Sequence, residues 1–219
     1  MKKYLQILNK CPLFFGIAEE DLLRMLTCLG ARVEFFDKKY TVISEGSPAR
    51  YIGIVLSGEV QIMQVDYEGN RTIISESGEG DMFAEAFACA EVEALPVSVV
   101  ASRYSEIMLI ECSHILHTCS SNCGFHQQLI YNFIKNLAIK TIAIHQRAEI
   151  ISKRTTAEKL MAYLLAQSKK VGKRTFEIPF DRQGLADYLE VDRSGLSSEI
   201  GKLKRAGVID CKKNLFKIL

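Results

Sequence analysis

Six cysteine and histidine side chains lie within fifteen residues near the middle of the chain. Thiolates and imidazoles at short helical spacings can hold zinc or supply some ligands of an iron centre. Cys119 and Cys123 are four residues apart and would share one face of a helix, and His126 follows three residues later. The same thiols could form a reversible disulfide, and the alternative is that all six side chains only pack in the core or lie at the surface. The candidate metal or redox residues are Cys112, His114, His117, Cys119, Cys123 and His126.

A second group of polar side chains lies on one face of a helix that the sequence predicts over Arg193–Arg205. Leu196, Ile200 and Leu203 recur at i, i+4 and i+7, which predicts the buried face of this helix. The opposite face carries serines and basic residues and no acidic side chain. An arginine can form two hydrogen bonds with the edge of a guanine, and a serine can bond bases or phosphates. The residues predicted to read bases are Arg193, Ser194, Ser197 and Ser198.

A shorter helix is predicted immediately before this one, over Arg182–Leu189. Asp181 and Asp192 each precede one of the two helices, where an aspartate can accept a hydrogen bond from a first-turn N–H group. Two helices joined by so short a turn form a helix-turn-helix, whose second helix enters the major groove of DNA. A β-hairpin with a basic tip, which would form a wing, is predicted after the second helix. The residues predicted to contact phosphate are Arg182, Lys202, Lys204, Arg205, Lys212 and Lys213.

Charge is distributed unevenly along the chain, whose formal net charge is +2. Residues 1–150 contain 13 Lys and Arg against 18 Asp and Glu, a net of −5, whereas residues 151–219 contain 15 against 8, a net of +7. The C-terminal part is therefore the part that would attract a polyanion. Seven cysteines without the spacing of a small disulfide scaffold are typical of a reducing compartment. Because there is also no signal peptide and no apolar run of ~18 residues, we expect a cytoplasmic protein without a membrane segment.

The hydrophobic pattern changes twice along the chain. Residues 4–30 and 125–151 have a helical period, whereas residues 31–111 contain short apolar runs separated by glycine-containing turns, a pattern typical of an antiparallel β-sandwich or roll. The predicted fold class is therefore α+β, with an N-terminal antiparallel β-roll, a long dimerisation helix and a C-terminal winged helix-turn-helix. The candidate strands are residues 51–56, 60–65, 72–75 and 97–101. The predicted domains are 1–112 (β-roll with its N-terminal helix), 113–151 (connector and dimerisation helix) and 152–219 (DNA-binding domain).

An apolar stripe runs along the long helix, and its members are separated alternately by four and three residues. That spacing is the a/d seam of a coiled coil and predicts that the helix pairs with its own copy. The alternative is a helix packed on its own domain, and Leu129, Phe133 and Ile142 indicate that it does this as well. The predicted dimer seam consists of Ile130, Ile134, Leu137, Thr141, Ile144 and Ala148.

The order of roll, long helix and winged helix-turn-helix resembles the Crp–Fnr family of bacterial transcription regulators along essentially the full chain. In that resemblance Arg193 matches the base-contacting arginine of the family. Ser198 stands where many relatives have a second arginine, so the DNA sequence that is read should differ from theirs. The matching segments are residues 185–189, 191–194 and 203–209 in the DNA-reading unit and residues 57–60 and 80–83 in the roll.

The resemblance also implies a cyclic-nucleotide site in the roll, and here the sequence departs from the family. Members that bind cyclic AMP carry Phe-Gly-Glu and, further along, an Arg-Ser or Arg-Thr pair that holds the cyclic phosphate. In this chain residues 83–85 are Phe-Ala-Glu and residues 95–98 are Leu-Pro-Val-Ser. A buried phosphate without a cation is costly to desolvate, and proline also removes an N–H donor. We therefore expect neither cyclic AMP nor cyclic GMP to bind. The effector pocket that the family's register implies contains Ala84, Glu85, Pro96, Val97, Ser98, Ile144 and His145.

Three functions remain open at this point. The leading interpretation is a homodimeric, DNA-binding transcription regulator without enzymatic activity, controlled through the roll by an unidentified effector. The resemblance implies that such a regulator binds a palindromic site in double-stranded DNA and contacts RNA polymerase. A cupin-type metal enzyme would need histidines on the strands of the roll, whereas all four histidines follow it. A protein-docking module is the third possibility, against which the positive charge of the C-terminal part argues.

Overall fold

The computed structural model of the protein describes residues 1–65, 67–68, 71–116 and 124–219. The chain divides into two units, Met1–Ile139 and Lys140–Leu219, and the division falls inside one long helix. This division differs from the three predicted domains, which placed the start of the DNA-binding part at residue 152. The physical reason is hydrophobic, because Ile150, near the end of the long helix, is buried in the core of the second unit.

Two antiparallel four-stranded sheets form the centre of the described part of the first unit, and helices precede and follow them. In one sheet the strands lie in the order 32–36, 105–111, 51–57 and 82–83, and in the other sheet in the order 41–43, 98–101, 59–65 and 71–78. This is the predicted roll, and all four candidate strands are present. The elements are α1 (Leu5–Leu8), α2 (Glu19–Cys28), β1 (Arg32–Phe36), β2 (Thr41–Ile43), β3 (Tyr51–Ser57), β4 (Glu59–Val65), β5 (Arg71–Gly78), β6 (Met82–Phe83), α3 (Glu85–Cys89), β7 (Ser98–Ala101), β8 (Ser105–Glu111) and α4 (Cys112–Leu116).

Strand β3 is buried on both faces because its sequence is apolar almost throughout. Successive side chains of a strand point to opposite faces. Ile52 and Ile54 therefore pack in a cluster with Leu22 of α2, whereas Val55 packs with Phe83 in a second cluster that contains residues of both sheets. The first cluster packs the helices against the roll, and the second packs its two sheets against each other.

The long helix, α5 (Gly124–Ile151), packs on the first unit through Leu129 and Phe133, which are completely buried. Asn132 is also buried, and its side-chain amide donates hydrogen bonds to the carbonyl oxygens of Leu13 (3.0 Å) and Phe15 (2.7 Å). Ile142 is exposed, so the prediction that it packs on its own domain is wrong. It follows Phe133 by about two and a half helical turns and therefore points to the opposite side of the helix.

The predicted seam of α5 faces solvent over much of its length in the single chain. Ile134 and Ile144 are 58% and 69% exposed, Thr141 and Ala148 are exposed as well, and Ile130 and Leu137 are half-buried. Leu137 also packs against the core of the first unit.

The second unit contains the predicted winged helix-turn-helix, and its two DNA-reading helices have the predicted bounds. Thr155 and Glu158 form the capping box that opens the first helix of this unit. Asp181 and Asp192 cap the next two helices by accepting hydrogen bonds from the N–H groups of Gly184 and Gly195, both at 2.8 Å. Besides the end of α5, the elements are α6 (Thr156–Val171), β9 (Thr175–Glu177), α7 (Arg182–Leu189), α8 (Arg193–Arg205), β10 (Ile209–Lys212) and β11 (Leu215–Ile218), with a sheet of order β10-β11-β9.

The turn between β3 and β4 leaves no room for a side chain at Gly58. Its φ is +92°, and a Cβ atom there would lie 2.4 Å from both the hydroxyl of Ser105 and the carbonyl oxygen of Tyr104. Ser105 is fully buried and exchanges hydrogen bonds with the backbone of Glu59, so it cannot move away cheaply.

We therefore expect Gly58→Ala to destabilise the fold by about 2–4 kcal/mol, the sum of the left-handed strain and the steric clash. The matched control is Gly46→Ala, since Gly46 has a φ of +77° but a Cβ atom added there would have no neighbour within 4 Å. This control should lose only about 1 kcal/mol. Urea unfolding of both variants measures the difference, and equal losses would mean that the contact with Ser105 does not limit this turn.

Candidate nucleic-acid interface

The side chains of Arg193 and Ser198 lie on the exposed face of α8, and neither forms a hydrogen bond or an ion pair with a described residue. The other two serines predicted to read bases are engaged locally. The hydroxyl of Ser194 bonds the carboxylate of Asp192, and that of Ser197 donates to the carbonyl oxygen of Arg193 at 2.9 Å. The bond from Ser194, together with the N–H of Gly195, holds the pKa of Asp192 below its usual value and keeps the cap charged.

A concave surface of about 560 Å³ lies where the N-terminal ends of α7 and α8 approach the tip of the wing. It brings Arg193, the first residue of α8, together with Arg182, the first residue of α7, and Lys213 of the wing. The N-terminal end of each helix adds partial positive charge. One carboxylate, Asp181, also lines this surface, and it is already engaged as the cap of α7. The arrangement suits the phosphates of a polyanion.

The other cations predicted to contact phosphate differ in how they are partnered. Lys202 forms an ion pair with Glu199 and Lys204 one with Asp210, both at 2.7 Å. Hydrogen bonding to Asp210 raises the pKa of Lys204. A phosphate would have to compete with these carboxylates. Arg205, Lys212 and Lys213 are exposed and form no ion pair within the described residues.

Two features of this surface were not predicted from the sequence. The guanidinium of Arg182 lies 5.2 Å from the ring centroid of Phe216, which holds it over the wing. Asn214 lines the concave surface and donates a 2.7 Å hydrogen bond to Glu177, which ties the wing tip to β9. The sequence predicts Asn214 at the tip of the wing beside two lysines, but it contains no signal for the hydrogen bond to Glu177.

The predicted effector residues of the roll occupy two different environments. Ala84 adopts the left-handed conformation (φ +60°) at the start of α3, where glycine is favoured, and Glu85 beside it is buried. Pro96 is exposed and Val97 is buried. Because successive side chains of a strand point to opposite faces, Ser98 points away from the core, on the side opposite to Val97. The hydroxyl of Ser98 accepts a 3.1 Å hydrogen bond from the N–H of Glu45.

Ser98 consequently lines a concave surface of about 540 Å³ together with Gln61 of β4 and with Lys38 and Lys39, which lie in the turn between β1 and β2. Glu85 is not among the residues that line this surface. Ile144 and His145, the remaining members of the predicted effector pocket, belong to the other unit and are exposed.

The described members of the cysteine and histidine group are held separately from one another. Cys112 is buried, and this burial, with smaller contributions from Cys89 and Glu91, raises the pKa of its thiol to about 11. Nδ1 of His114 lies 3.0 Å from the carbonyl oxygen of Leu29, and Nε2 of His126 lies 3.0 Å from that of Ile115.

No three metal-binding side chains come together among the residues that the structure describes. His117, Cys119 and Cys123 lie outside them. The metal or redox site therefore remains a prediction from sequence spacing, without support from the described part of the group.

Within the described ranges, no helix is both long enough and apolar enough to span a bilayer.

Comparison with known proteins agrees with this architecture. Residues 33–122 match the cyclic nucleotide-binding domain family, and residues 158–219 match the Crp-like helix-turn-helix domain family. The chain is 24% identical over 130 residues to the potassium channel KAT4 of Oryza sativa subsp. japonica, a match that covers 59% of this chain and 22% of the channel. The chain thus spans about a fifth of the length of the curated relative it matches.

Solved structures match over nearly the whole chain. The catabolite activator protein of Thermus thermophilus is 18% identical, with a TM-score of 0.52 and coverage of 95% of this chain and 93% of that one. DNR from Pseudomonas aeruginosa is 21% identical, with a TM-score of 0.52 and coverage of 100% and 95%. At these identities the likeness shows the fold. Because a cyclic nucleotide-binding domain is followed by a Crp-like helix-turn-helix in the same chain, the protein belongs to the Crp–Fnr family of DNA-binding transcription regulators.

Proposed function

We propose that this regulator is a homodimer that reads a two-fold symmetric DNA site, with Arg193 as its main base-reading side chain. It acts there through contact with RNA polymerase, and it has no enzymatic activity of its own. The observation that carries the proposal is the concave surface shared by Arg182, Arg193 and Lys213, in which three cations and two helix N-termini meet.

The environment of α8 supports a division of roles within this surface. Arg193 and Ser198 project from the exposed face, and side chains there reach base edges when such a helix enters the major groove. Lys212 and Lys213 lie at the wing tip, where they would meet the phosphate backbone. Lys202 and Lys204 are neutralised by carboxylates and contribute less.

The exposed stripe of α5 supports the homodimer. Fully burying an isoleucine side chain contributes about 1.5–3 kcal/mol, and Ile134 and Ile144 are largely exposed in the single chain. Their heptad spacing fits a second copy of the same helix. Two copies of the reading helix related by two-fold symmetry would bind half-sites about one helical turn, ~34 Å, apart.

The roll supports control by an effector other than a cyclic nucleotide. The backbone at Ala84 keeps the conformation that glycine favours, so the shape of this turn persists without the residue type. Residues 95–98, in contrast, contain no cation, and Leu95 and Val97 are buried. A cyclic phosphate placed here would lose its hydration without gaining a charged partner.

A gel-shift survey of genomic fragments would first supply a specific site, on which Arg193→Ala should cost about 1–3 kcal/mol of binding free energy and relax specificity at one base pair. Lys213→Ala should weaken all sequences alike and reduce the salt slope by about 1, because it removes a phosphate contact. Lys202→Ala is the matched control, since its partner is Glu199. Unchanged specific binding by Arg193→Ala would show that another residue reads the bases.

Ile144→Glu should convert the dimer to monomers, because the dimer would have to bury an unpaired carboxylate. Ile144 is a cleaner probe than Leu137, which also packs in the core of the first unit. Ile73→Glu is a suitable control on strand β5, where the isoleucine is 50% exposed. Sedimentation velocity measures the masses, and a dimer that persists in Ile144→Glu would place the interface elsewhere.

Neither cyclic AMP nor cyclic GMP should give measurable heat in titration calorimetry at physiological concentrations. Restoring glycine alone, in Ala84→Gly, should not create binding, because the cation is still missing. A micromolar dissociation constant for either nucleotide with the wild-type protein would contradict this expectation and require a different phosphate anchor.

A further inference from the structure

The turn between the two DNA-reading helices is built on an unusual residue. Glu190 ends α7 in the left-handed conformation, with a φ of +52°. For a residue other than glycine, such a conformation is strained and persists only where the surroundings hold it. Glycine would adopt the same turn without strain, so a glutamate at this position calls for a physical reason.

The side chain of Glu190 reaches an arginine of the long helix α5. Nη2 of Arg147 lies 3.4 Å from Oε1 of Glu190. The guanidinium of Arg147 also lies 5.3 Å from the ring centroid of Tyr188, and its Nε is buried without a hydrogen-bond partner among the described residues. One guanidinium thus contacts two residues at the C-terminal end of α7. All of these residues belong to the second unit.

Other contacts also fix this turn. Nζ of Lys159, in α6, donates to the carbonyl oxygens of Leu189 (3.3 Å) and Glu190 (3.5 Å), where the dipole of α7 favours a cation. The ring of Tyr188 packs against those of Tyr163 (5.3 Å between centroids) and Phe180 (5.1 Å). Among the described residues, the side chain of Arg147 provides a polar connection from the turn to the long helix.

The position of this turn determines where the recognition helix α8 begins. Val191 and Asp192 follow Glu190, and Arg193 is the first residue of α8. We propose that Arg147 and Glu190 are positioning residues for DNA recognition: their contact holds the turn so that Arg193 meets its base pair. This inference rests on the proposed role of Arg193.

The contact between Arg147 and Glu190 is better suited to orienting the turn than to stabilising the fold. The side chains of Arg147 and Glu190 are 44% and 57% exposed, and pairs so exposed contribute little to the free energy of unfolding. Losing the pair should consequently change specific binding while leaving the fold nearly as stable. A direct contact of Arg147 with phosphate is the competing explanation, and it would alter the salt dependence of binding.

The test compares Arg147→Gln, Glu190→Gln and the double variant in the full chain, on a specific site and on an unrelated fragment, over a series of salt concentrations. Each single variant should weaken specific binding by roughly three- to tenfold. The double variant should be no weaker than the weaker single one, because both remove the same contact. Affinity for the unrelated fragment should not fall, and the salt slope should equal that of the wild type.

Glu190→Gly separates orientation from strain. It removes the carboxylate and relieves the positive φ, so the melting temperature should rise or stay unchanged while specific binding weakens. Glu91→Gly is the matched control, since Glu91 has a φ of +51° in the roll. It should gain similar stability without weakening specific binding.

Two results would overturn the inference while the wild-type protein still binds its site. One is full specific affinity in Glu190→Gly and Arg147→Gln, and the other is a salt slope reduced by about 1 in Arg147→Gln, which would make Arg147 a phosphate contact. If the wild-type protein binds no DNA specifically, the proposed function itself fails, and this inference fails with it.

Discussion

One face of the recognition helix must be buried in the core, and the opposite face must be exposed to solvent. The packing of the second unit depends on that constraint. Leu196 and Ile200 are buried in the core, and they fix the rotation of α8 about its own axis. At 3.6 residues per turn, that rotation places Arg193 and Ser198 on the solvent side. The core formed with α6 and the three-stranded sheet therefore determines which side chains can reach DNA.

Local electrostatics then determine which of the basic side chains remain available. The formal charge of residues 151–219 attracts a polyanion over a distance, but individual cations differ. Lys202 and Lys204 each meet a carboxylate at 2.7 Å, whereas Arg193 and Lys213 meet none within the described residues. At the start of α8, hydrogen bonds from the hydroxyl of Ser194 and the N–H of Gly195 lower the pKa of Asp192 and so favour its charged form. A carboxylate in this unit can thus either organise the reading surface or mask part of it.

The roll shows how shape and chemistry can separate within one family. Gly58 keeps a turn that only glycine fits, and Ala84 keeps a left-handed turn that glycine would fit better. Both turns thus have a glycine-type backbone, while residues 95–98, where the resemblance to the family would place the phosphate-binding arginine, contain no cation. The backbone conformation of such turns depends on the packing around them, whereas the choice of ligand depends on a few side chains. The backbone conformation can therefore stay the same when the ligand differs.

The sequence alone determined the features that depend on neighbours along the chain. The bounds of α7 and α8 and the caps at Asp181 and Asp192 were all predicted, because helix periodicity and capping involve residues within about one turn. Only the tertiary structure decided the features that depend on residues distant in sequence. Examples are the contact of Arg147 with Glu190, the outward direction of Ser98 and the exposure of Ile142. Each depends on which elements pack together and at what rotation, and a pattern of residue types along one segment does not contain that information.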